Sequence, residues 1–423
     1  MTAAAAAKPL KVAAMQIPPF SLSEQLEQLG EDLDQAVNGV LRSGQYIGGA
    51  TIAEFEQAFA QSCGVPHAVG CNSGTDALIL ALRALNIGPG DEVITSSFSF
   101  FATAEAISAV GATPVFVDVE EDSYLIDPER IEAAITPASR ALLPVHLFGR
   151  PAAMERISAI ARAYNLLVIE DCAQAAGARC GGQSVGSWGD AGCFSFFPTK
   201  NLGAAGDGGA VTCRDPALAQ RLRQLAAHGM PRRYLHTELG YNSRLDAIQA
   251  AVLNVKLPHL EHWVEQRRAI ANRYRHALAD LPGLRLPGDS DEHHSWNQFV
   301  VRVAACPVSS SGSRAAACAG RCTPSGDSAD HGLPEACCRD WFKQQLQNAG
   351  VTTIIYYPIP IHRQPAYAGL GYGPGSLPVT EQLCAEVLSL PIFPELSTVQ
   401  QDAVIEAVTG LVAASGALLA AAV

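Results

Sequence analysis

The stretch DEVITSSFSFFATAEAISAVGATPVFVDV (residues 91–119) contains two short runs rich in β-branched residues, DEVITSS and TPVFVDV, on either side of FATAEAISAV. The outer runs have the composition of strands, and the middle run has the apolar spacing of a helix. Two strands joined by a helix form a right-handed unit in which both strands lie parallel in one sheet. This stretch therefore predicts an α/β fold.

The same alternation extends from about Pro66 to Cys213. HAVGCNS (67–73), SRALLPVHLF (139–148) and LLVIED (166–171) have the composition of further strands, with helical patterns between most of them. The chain therefore predicts a mainly parallel sheet, and ligands of such sheets bind beyond the carboxyl ends of the strands. Polar residues that directly follow a strand are the candidates for function.

The pattern changes after about Lys256. A long helical stretch (260–281) is followed by NQFVVRV (297–303) and VTTIIYYP (351–358), both of strand character. This combination predicts a smaller α+β domain.

Residues 304–338 are rich in Ser, Gly, Ala, Pro and Cys and show little periodicity, which predicts a flexible insertion. We expect a large domain at 1–255, including an N-terminal arm, and a small domain at 256–423 that carries this insertion.

The composition excludes several classes of protein. A formal net charge of -12, a pI near 5.4 and the lack of a Lys/Arg-rich run argue against a nucleic-acid partner. The 12 cysteines are few for 423 residues and the start lacks a secretory apolar core, so we expect a cytoplasmic protein with reduced thiols. Residues 409–423 are apolar but fall short of the roughly 20 residues that cross a bilayer, so no membrane partner is expected.

The run FSFFPTK (194–200) places a lysine behind apolar residues. A partly desolvated lysine can lose its proton and form a Schiff base, although a lone lysine at a strand end is more often a surface residue. Asp171 closes a very apolar strand, where a carboxylate needs a cation or a strong donor. The protonated ring nitrogen of pyridoxal phosphate is such a partner, and Gln174 could donate to its ring hydroxyl.

A phosphate group binds well at the start of a helix, where backbone N–H groups lack partners. NSGTDALILALRAL (72–85) provides a glycine-containing turn that leads directly into a helix. Gly74 and Thr75 are placed to bind phosphate, and the Ser195 hydroxyl could add a donor. An ordinary helix cap by Ser73 or Thr75 explains the same residues.

Four motifs follow one another along the chain: SGTDAL (73–78), VIEDCAQAAGA (168–178), FSFFPTKNLGAAGDGGAV (194–211) and GYNSRLDAIQAAVL (240–253). They resemble the DegT/DnrJ/EryC1/StrS family of pyridoxal-phosphate-dependent nucleotide-sugar aminotransferases. The similarity runs from about Ser43 to Gly410, with the insertion as its main departure. It implies an aspartate-aminotransferase-like fold and a homodimer with active sites at the dimer interface.

The resemblance also assigns residues. It implies that Lys200 is the Schiff-base lysine, that Asp171 holds the pyridinium proton and that Gln174 lies near the ring hydroxyl. Asn242 and Arg244 match residues that the family sends across the interface towards the neighbouring cofactor phosphate.

For the cofactor phosphate, the resemblance implies contacts with Gly74, Thr75 and Ser195. The aromatic residue that stacks on the cofactor ring aligns with Phe100. Phe98 and Phe101 lie close by and compete for this role, since two of the three are expected in the core.

A lysine at position 200 indicates a transaminase, because related dehydratases carry a histidine there. The implied reaction transfers an amino group from L-glutamate to a dTDP- or UDP-linked 3- or 4-keto sugar, with a weak preference for carbon 3. Such products serve amino-sugar and cell-surface polysaccharide biosynthesis. The alternative is a non-catalytic regulator or sensor that retains the fold, against which the presence of Lys200, Asp171 and Gln174 counts.

Other features have weaker interpretations. GQSVG (182–186) fits a hydrolase motif but lies among turn residues, which favours a tight hairpin. A cysteine and histidine cluster within the insertion has spacing tolerable for a zinc site, but its surroundings favour an unstructured segment, so no metal is predicted. The cluster comprises Cys318, Cys322, His331, Cys337 and Cys338. His146 either lines the site or packs in the core.

The loop HGMPRRYLHTELGYNSR (228–244) carries several residues suited to a diphosphate or a sugar, although an exposed basic loop is the equal alternative. These residues are Arg232, Arg233, Tyr234 and His236.

Overall fold

The structure of the chain, a computed structural model, describes residues 15–288, 293–304 and 337–414. The insertion predicted at about 304–338 therefore lies almost entirely outside the described residues, as does most of its cysteine and histidine cluster.

A seven-stranded sheet forms the centre of the fold, in the order β1-β9-β8-β5-β4-β2-β3. Strand β9 runs antiparallel to both neighbours, and the other adjacent strands are parallel. This arrangement confirms the predicted mainly parallel α/β fold. The strands of this sheet are β1 (His67–Cys71), β2 (Glu92–Ser96), β3 (Thr113–Val117), β4 (Ser139–Leu143), β5 (Leu167–Asp171), β8 (Ala191–Ser195) and β9 (Gly209–Cys213).

Helices cover both faces of the sheet. Two of them begin with an aspartate cap followed by a proline in the first turn, where Asp127 and Asp215 each accept a backbone N–H bond. The helices up to residue 256 are α1 (Ser23–Ser43), α2 (Ala50–Cys63), α3 (Gly74–Ala84), α4 (Ala102–Ala109), α5 (Pro128–Ile131), α6 (Met154–Tyr164), α7 (Pro216–Ala226) and α8 (Ala247–Lys256).

The central strands are buried on both faces. Val93 and Leu143 pack into the cluster that contains α3 and α4 residues, whereas Ile94 and Leu142 pack into the opposite cluster with α6 residues. Each such side chain contributes about 1.5–3 kcal/mol relative to an exposed position. This double burial explains the near-continuous apolar character of these strands.

A second, antiparallel sheet contains β10 (Leu284–Arg285), β11 (Phe299–Val303) and β12 (Val387–Leu390), with β11 in the middle. Its apolar face packs with the long helix α9 around a core that includes Tyr274 and Phe342. Within the described residues, none of the helices is both long and apolar enough to span a membrane. The helices of this part are α9 (Leu260–Ala277), α10 (Cys337–Asn348), α11 (Pro378–Glu386) and α12 (Thr398–Ala414).

The strand predicted at 351–358 is wrong. Val351 and Ile354 form only isolated bridges, with Ile17 and Ser389. The edge of β11 that does not pair with β10 pairs with β12, a strand that was not predicted. In this pairing Phe299 of β11 lies opposite Leu390, and Arg302 lies opposite Val387. The segment after Ile354 is therefore free to leave the sheet and continue towards the site described below.

The N-terminal residues pack on the second core. Ile17 accepts and donates backbone bonds with the segment at Gly350–Thr352, and the Phe20 ring meets Phe393 at 6.5 Å. The domain limits at 255 and 256 remain a prediction, but this contact ties the start of the described chain to the part beyond residue 256.

The segment that contains the hydrolase-like motif GQSVG forms a tight hairpin, as predicted. Strands β6 (Arg179–Cys180) and β7 (Gln183–Ser184) pair around Gly181 and Gly182, whose φ angles of 53° and 79° favour glycine. Ser184 therefore sits in a short strand, not on the strand-to-helix turn that a nucleophilic serine requires.

Candidate active site

A cavity of about 380 Å³ lies at the carboxyl ends of β2, β5 and β8, beside the start of α3. The edge of the sheet predicted to bind a ligand is therefore the edge that holds a cavity. It brings together seven of the nine predicted site residues: Gly74, Thr75, Phe100, Asp171, Gln174, Ser195 and Lys200.

Lys200 lies in a turn after β8, where its backbone N–H donates to the Phe197 carbonyl at 2.8 Å. Its enclosed position lowers the pKa of the amine from 10.5 to about 8, while the negative charge of Asp171 acts in the opposite direction. A lysine with this pKa has a sizeable neutral fraction near physiological pH, which a nucleophile or a proton carrier needs.

Asp171 is the last residue of β5 and is 5% exposed. Its Oδ1 accepts the Ala173 N–H at 3.1 Å and its Oδ2 accepts the Thr103 hydroxyl at 2.8 Å. Burial raises the pKa of Asp171, and these two bonds together with the Lys200 charge oppose that rise. The carboxylate is thus a buried acceptor that, among the described residues, forms no ion pair with a cationic side chain.

Thr103 connects the carboxylate to the loop after β2. The single Thr103 proton goes to Asp171, so Ser99, whose Oγ lies 2.8 Å from the Thr103 Oγ1, donates to Thr103. No local sequence pattern marks this pair, because Thr103 lies in the first turn of α4 and only the strand order places that turn beside β5.

Replacing Thr103 with valine is expected to raise the pKa of Asp171 further, because one bond to the charged form is lost. We expect the charged carboxylate to be the active form, so the acid limb of kcat/KM against pH should move to higher pH and the rate at neutral pH should fall roughly 10-fold. The matched variant Thr103→Ser keeps the hydroxyl and should restore the wild-type profile. An unchanged acid limb in Thr103→Val would show that this bond does not control Asp171.

The Gln174 amide is held at both ends. Its Oε1 accepts the Phe148 N–H at 2.6 Å and its Nε2 donates to the Tyr357 hydroxyl at 2.9 Å. One Nε2 proton remains for the predicted contact with a ring hydroxyl, so that role stays a prediction. Tyr357 was missed by the sequence analysis, because it comes from the segment that was predicted as a strand.

The start of α3 forms the other end of the cavity. Ser73 caps the helix by accepting the Asp76 N–H at 3.1 Å, so one of the two residues suggested as an ordinary helix cap has that role. Among the described residues, the backbone N–H groups of Gly74 and Thr75 have no hydrogen-bond partner. A β-carbon on Gly74 would lie 2.7 Å from the Ser195 β-carbon, so only glycine allows Ser195 this close to the free N–H groups.

The three neighbouring phenylalanines have separate places. Phe98 is 1% exposed and packs edge-on against Tyr124 and Phe148. Phe101 packs against Tyr367, whereas Phe100 is 57% exposed and lines the cavity. Phe100 is therefore the one of the three with a ring available to a ligand.

Asn242 and Arg244 do not line the cavity. They form an exposed pair, in which the Arg244 Nη2 donates to the Asn242 Oδ1 at 2.5 Å. Asn72, directly before the α3 cap, bonds to the backbone of both residues. The pair thus lies beside the phosphate end of the cavity but outside it, and its predicted role across an interface remains a prediction.

The basic loop at 228–244 also lies outside the cavity. The Arg233 guanidinium lies 4.9 Å from the Tyr234 ring centroid, and His236 Nδ1 lies 2.8 Å from the His228 carbonyl. Arg232, Arg233, Tyr234 and His236 are all exposed.

His146 packs in the core behind the site. Its Nδ1 accepts the Ala152 N–H at 2.9 Å, so its Nε2 carries the proton and donates to Glu170 at 3.0 Å. Together with Cys172, these two side chains have metal-like spacing. Their atoms are already engaged with one another and with the backbone, since Glu170 also accepts at 2.8 Å from Gly186, Trp188 and Gly189.

An enclosed lysine, a buried carboxylate and a helix N-terminus at the ends of parallel strands define an enzyme of the aminotransferase type. The chain matches the sequence profile of the DegT/DnrJ/EryC1/StrS aminotransferase family over residues 27–311 and 328–409. The chain belongs to this family.

Curated relatives match nearly full length. The dTDP-3-amino-3,4,6-trideoxy-alpha-D-glucose transaminase of Streptomyces venezuelae is 44% identical over 93% of this chain and 95% of its own. The UDP-N-acetyl-3-dehydro-alpha-D-glucosamine 3-aminotransferase of Acidithiobacillus ferrooxidans is 45% identical over 90% and 94%. A relative named pleiotropic regulatory protein, from Geobacillus stearothermophilus, is 43% identical over 93% and 97%.

Solved structures share the fold. The crystal structure of S. venezuelae DesV in complex with a ketimine intermediate has a TM-score of 0.85 and 43% identity, covering 94% of this chain and 99% of its own. The NtdA structure from Bacillus subtilis, with bound cofactor PMP, has a TM-score of 0.82 and 30% identity over 95% and 86%. These similarities establish the aspartate-aminotransferase-like architecture expected from the sequence.

Proposed function

We propose that the protein is a pyridoxal-phosphate-dependent aminotransferase that converts a nucleotide-linked keto sugar into an amino sugar, with L-glutamate as amino donor. The observation that carries this proposal is the placement of Lys200, with a pKa near 8, and buried Asp171 in one cavity. Relatives named for dTDP- and UDP-sugar transamination support it.

The residues of the cavity fit the cofactor. The free N–H groups of Gly74 and Thr75, with the Ser195 hydroxyl, suit a phosphate group. Phe100 offers an accessible aromatic ring, and Asp171 suits a ring nitrogen that carries a proton. When bound, the cofactor supplies an electron-withdrawing ring that weakens the C–H bond next to the reacting nitrogen.

The side chains of the chain supply the proton chemistry. Asp171, held by Thr103 and Ala173, stabilises a positive charge on the ring nitrogen. Lys200 Nζ would hold the proton released from the carbon next to the reacting nitrogen and later give it back, a role for which a pKa near 8 is well matched to neutral pH. The net reaction exchanges an amino group and a carbonyl oxygen between donor and sugar, so it needs no external oxidant or reductant.

We place the amino group on carbon 3 of the sugar, because relatives from S. venezuelae and A. ferrooxidans are named for 3-amino or 3-keto sugars. A dTDP- or UDP-linked 3-keto sugar is therefore the proposed substrate, and amino-sugar or cell-surface polysaccharide biosynthesis is the proposed role. The expected location is the cytoplasm.

We further propose a homodimer. Large apolar side chains are exposed at the cavity, where Phe197 is 49% exposed, and in the loop at 228–244, where Tyr234 is 79% and Leu239 86% exposed. A second copy of the chain would cover this surface, and the Asn242 and Arg244 pair, which lies outside this chain's own cavity, would contact the cofactor phosphate held by that copy.

The rate at which the cofactor-free protein binds pyridoxal phosphate is expected to rise with pH. Only the neutral Lys200 amine attacks the cofactor aldehyde, and its pKa is lowered to about 8, so the rate should increase up to about pH 8 and level off above it. Stopped-flow absorbance of the visible band measures this rate. A rate that climbs until pH 10 or beyond would mean that Lys200 is not held in the enclosed form.

An amination assay tests the function. Purified holoprotein should convert at least one keto sugar from a panel of dTDP- and UDP-linked 3- and 4-keto sugars, with glutamate consumed in equal amount by mass spectrometry. Glutamate alone should bleach the visible band. A protein that binds the cofactor but neither bleaches with glutamate nor aminates any sugar would favour the regulatory alternative.

A further inference from the structure

Gln298 lines the cavity and immediately precedes β11, which lies in the middle of the second sheet. Among the described residues, no side-chain hydrogen bond satisfies its amide: the Oε1 is buried without a partner, and the Nε2 is the accessible atom of the group. An amide left unpaired at a cavity wall is a group that a ligand can satisfy.

The backbone at this position is firmly held. The Gln298 N–H donates to the Phe148 carbonyl at 3.3 Å. Arg267, which is 2% exposed, donates from Nη1 to the carbonyls of Trp296 at 3.2 Å and Ile392 at 3.0 Å. The backbone that carries the unpaired amide is thus held in place at the cavity wall.

The side-chain amide of Gln174, which also lines the cavity, differs from that of Gln298 because both of its ends are hydrogen-bonded. Gln174 binds Phe148 and Tyr357 through both ends, so its orientation is set by the protein. In Gln298 the Oε1 is buried, so the Nε2 is the group of this amide that can donate to a ligand in the cavity. A sugar hydroxyl both donates and accepts, and it therefore matches an amide better than a carboxylate does. Of the described residues that line the cavity, Lys200 is the only cation, so a carboxylate would seek that position.

We propose that Gln298 is a specificity-determining residue that binds, through its side-chain amide, a hydroxyl of the sugar ring next to the keto carbon. The inference rests on the proposed function and adds the chemical group that the enzyme recognises on its substrate. Gln298 and Lys200 line the same cavity. Because the keto carbon must reach Lys200, the ring atoms beside that carbon then face the cavity walls, which include Gln298.

The test compares wild type with Gln298→Met, which keeps the length of the side chain and removes both hydrogen-bonding groups. Both proteins are assayed with a dTDP-linked 3-keto-6-deoxyhexose and with its 2-deoxy and 4-deoxy analogues. We expect kcat/KM of the variant to fall roughly 10-fold with the full sugar and to stay within about 2-fold of wild type with one of the two analogues. The loss should fall mainly on KM.

Two further measurements separate the inference from the proposed function. The bleaching rate with glutamate should be the same in Gln298→Met and in the control Gln347→Met, which changes an exposed glutamine of α10. If wild type aminates no sugar, the proposed function fails. If wild type is active and the variant loses nothing, or loses equally with all three sugars, the inference about Gln298 is wrong.

Discussion

The Lys200→Ala variant is expected to lose the visible band of the cofactor and to lower the amination rate by at least about 10³-fold, because it lacks the amine that would bond the cofactor and carry the proton. Lys200 is the only lysine among the described residues that line the cavity. Absorbance after incubation with pyridoxal phosphate, followed by borohydride reduction and mass spectrometry of the peptide that contains residue 200, measures the effect.

The fold should survive this change. Burying an amine costs free energy, as the lowered pKa of Lys200 records, so its removal should leave the thermal midpoint equal or slightly higher. Lys343→Ala, on helix α10 and away from the cavity, is the control and should keep both band and activity. A yellow, borohydride-sensitive Lys200→Ala protein would overturn the assignment of the site.

The Asp171→Asn variant is expected to bind the cofactor yet to aminate about 10²–10³-fold more slowly, because a neutral amide cannot stabilise a positive ring nitrogen. Asparagine has nearly the same shape, and its oxygen can still accept the Thr103 hydroxyl. Because burial raises the pKa of Asp171, the wild-type rate should also fall as the pH drops and the carboxylate takes up a proton, whereas the variant should lack that acid limb.

Asp207→Asn is the matched control. Asp207 lines the same cavity but is exposed, so its replacement should change the rate by no more than a few-fold. Single-turnover bleaching with glutamate measures both variants. An Asp171→Asn protein as fast as Asp207→Asn would show that the buried carboxylate does not act on the cofactor.

Local patterns were sufficient for most of the large sheet. The strands from His67 to Asp171 were predicted because each combines β-branched residues with flanking turns, and this signal needs no distant partner. Strand β12 was not predicted, whereas 351–358 was predicted as a strand, because both segments are apolar and only the pairing with β11 distinguishes them. Which segment occupies a free sheet edge is a matter of tertiary contact.

The sequence by itself determined the α/β class and the candidates Lys200, Asp171 and Gly74, since each stands at the end of a strongly patterned strand or the start of a helix. The tertiary structure decided which groups join them. Thr103, Tyr357 and Gln298 carry no local signal, because a polar residue becomes part of a site only when the strand order and the second sheet bring its atoms to the cavity. The pKa of Lys200 likewise depends on enclosure by residues far along the chain, which no window of sequence contains.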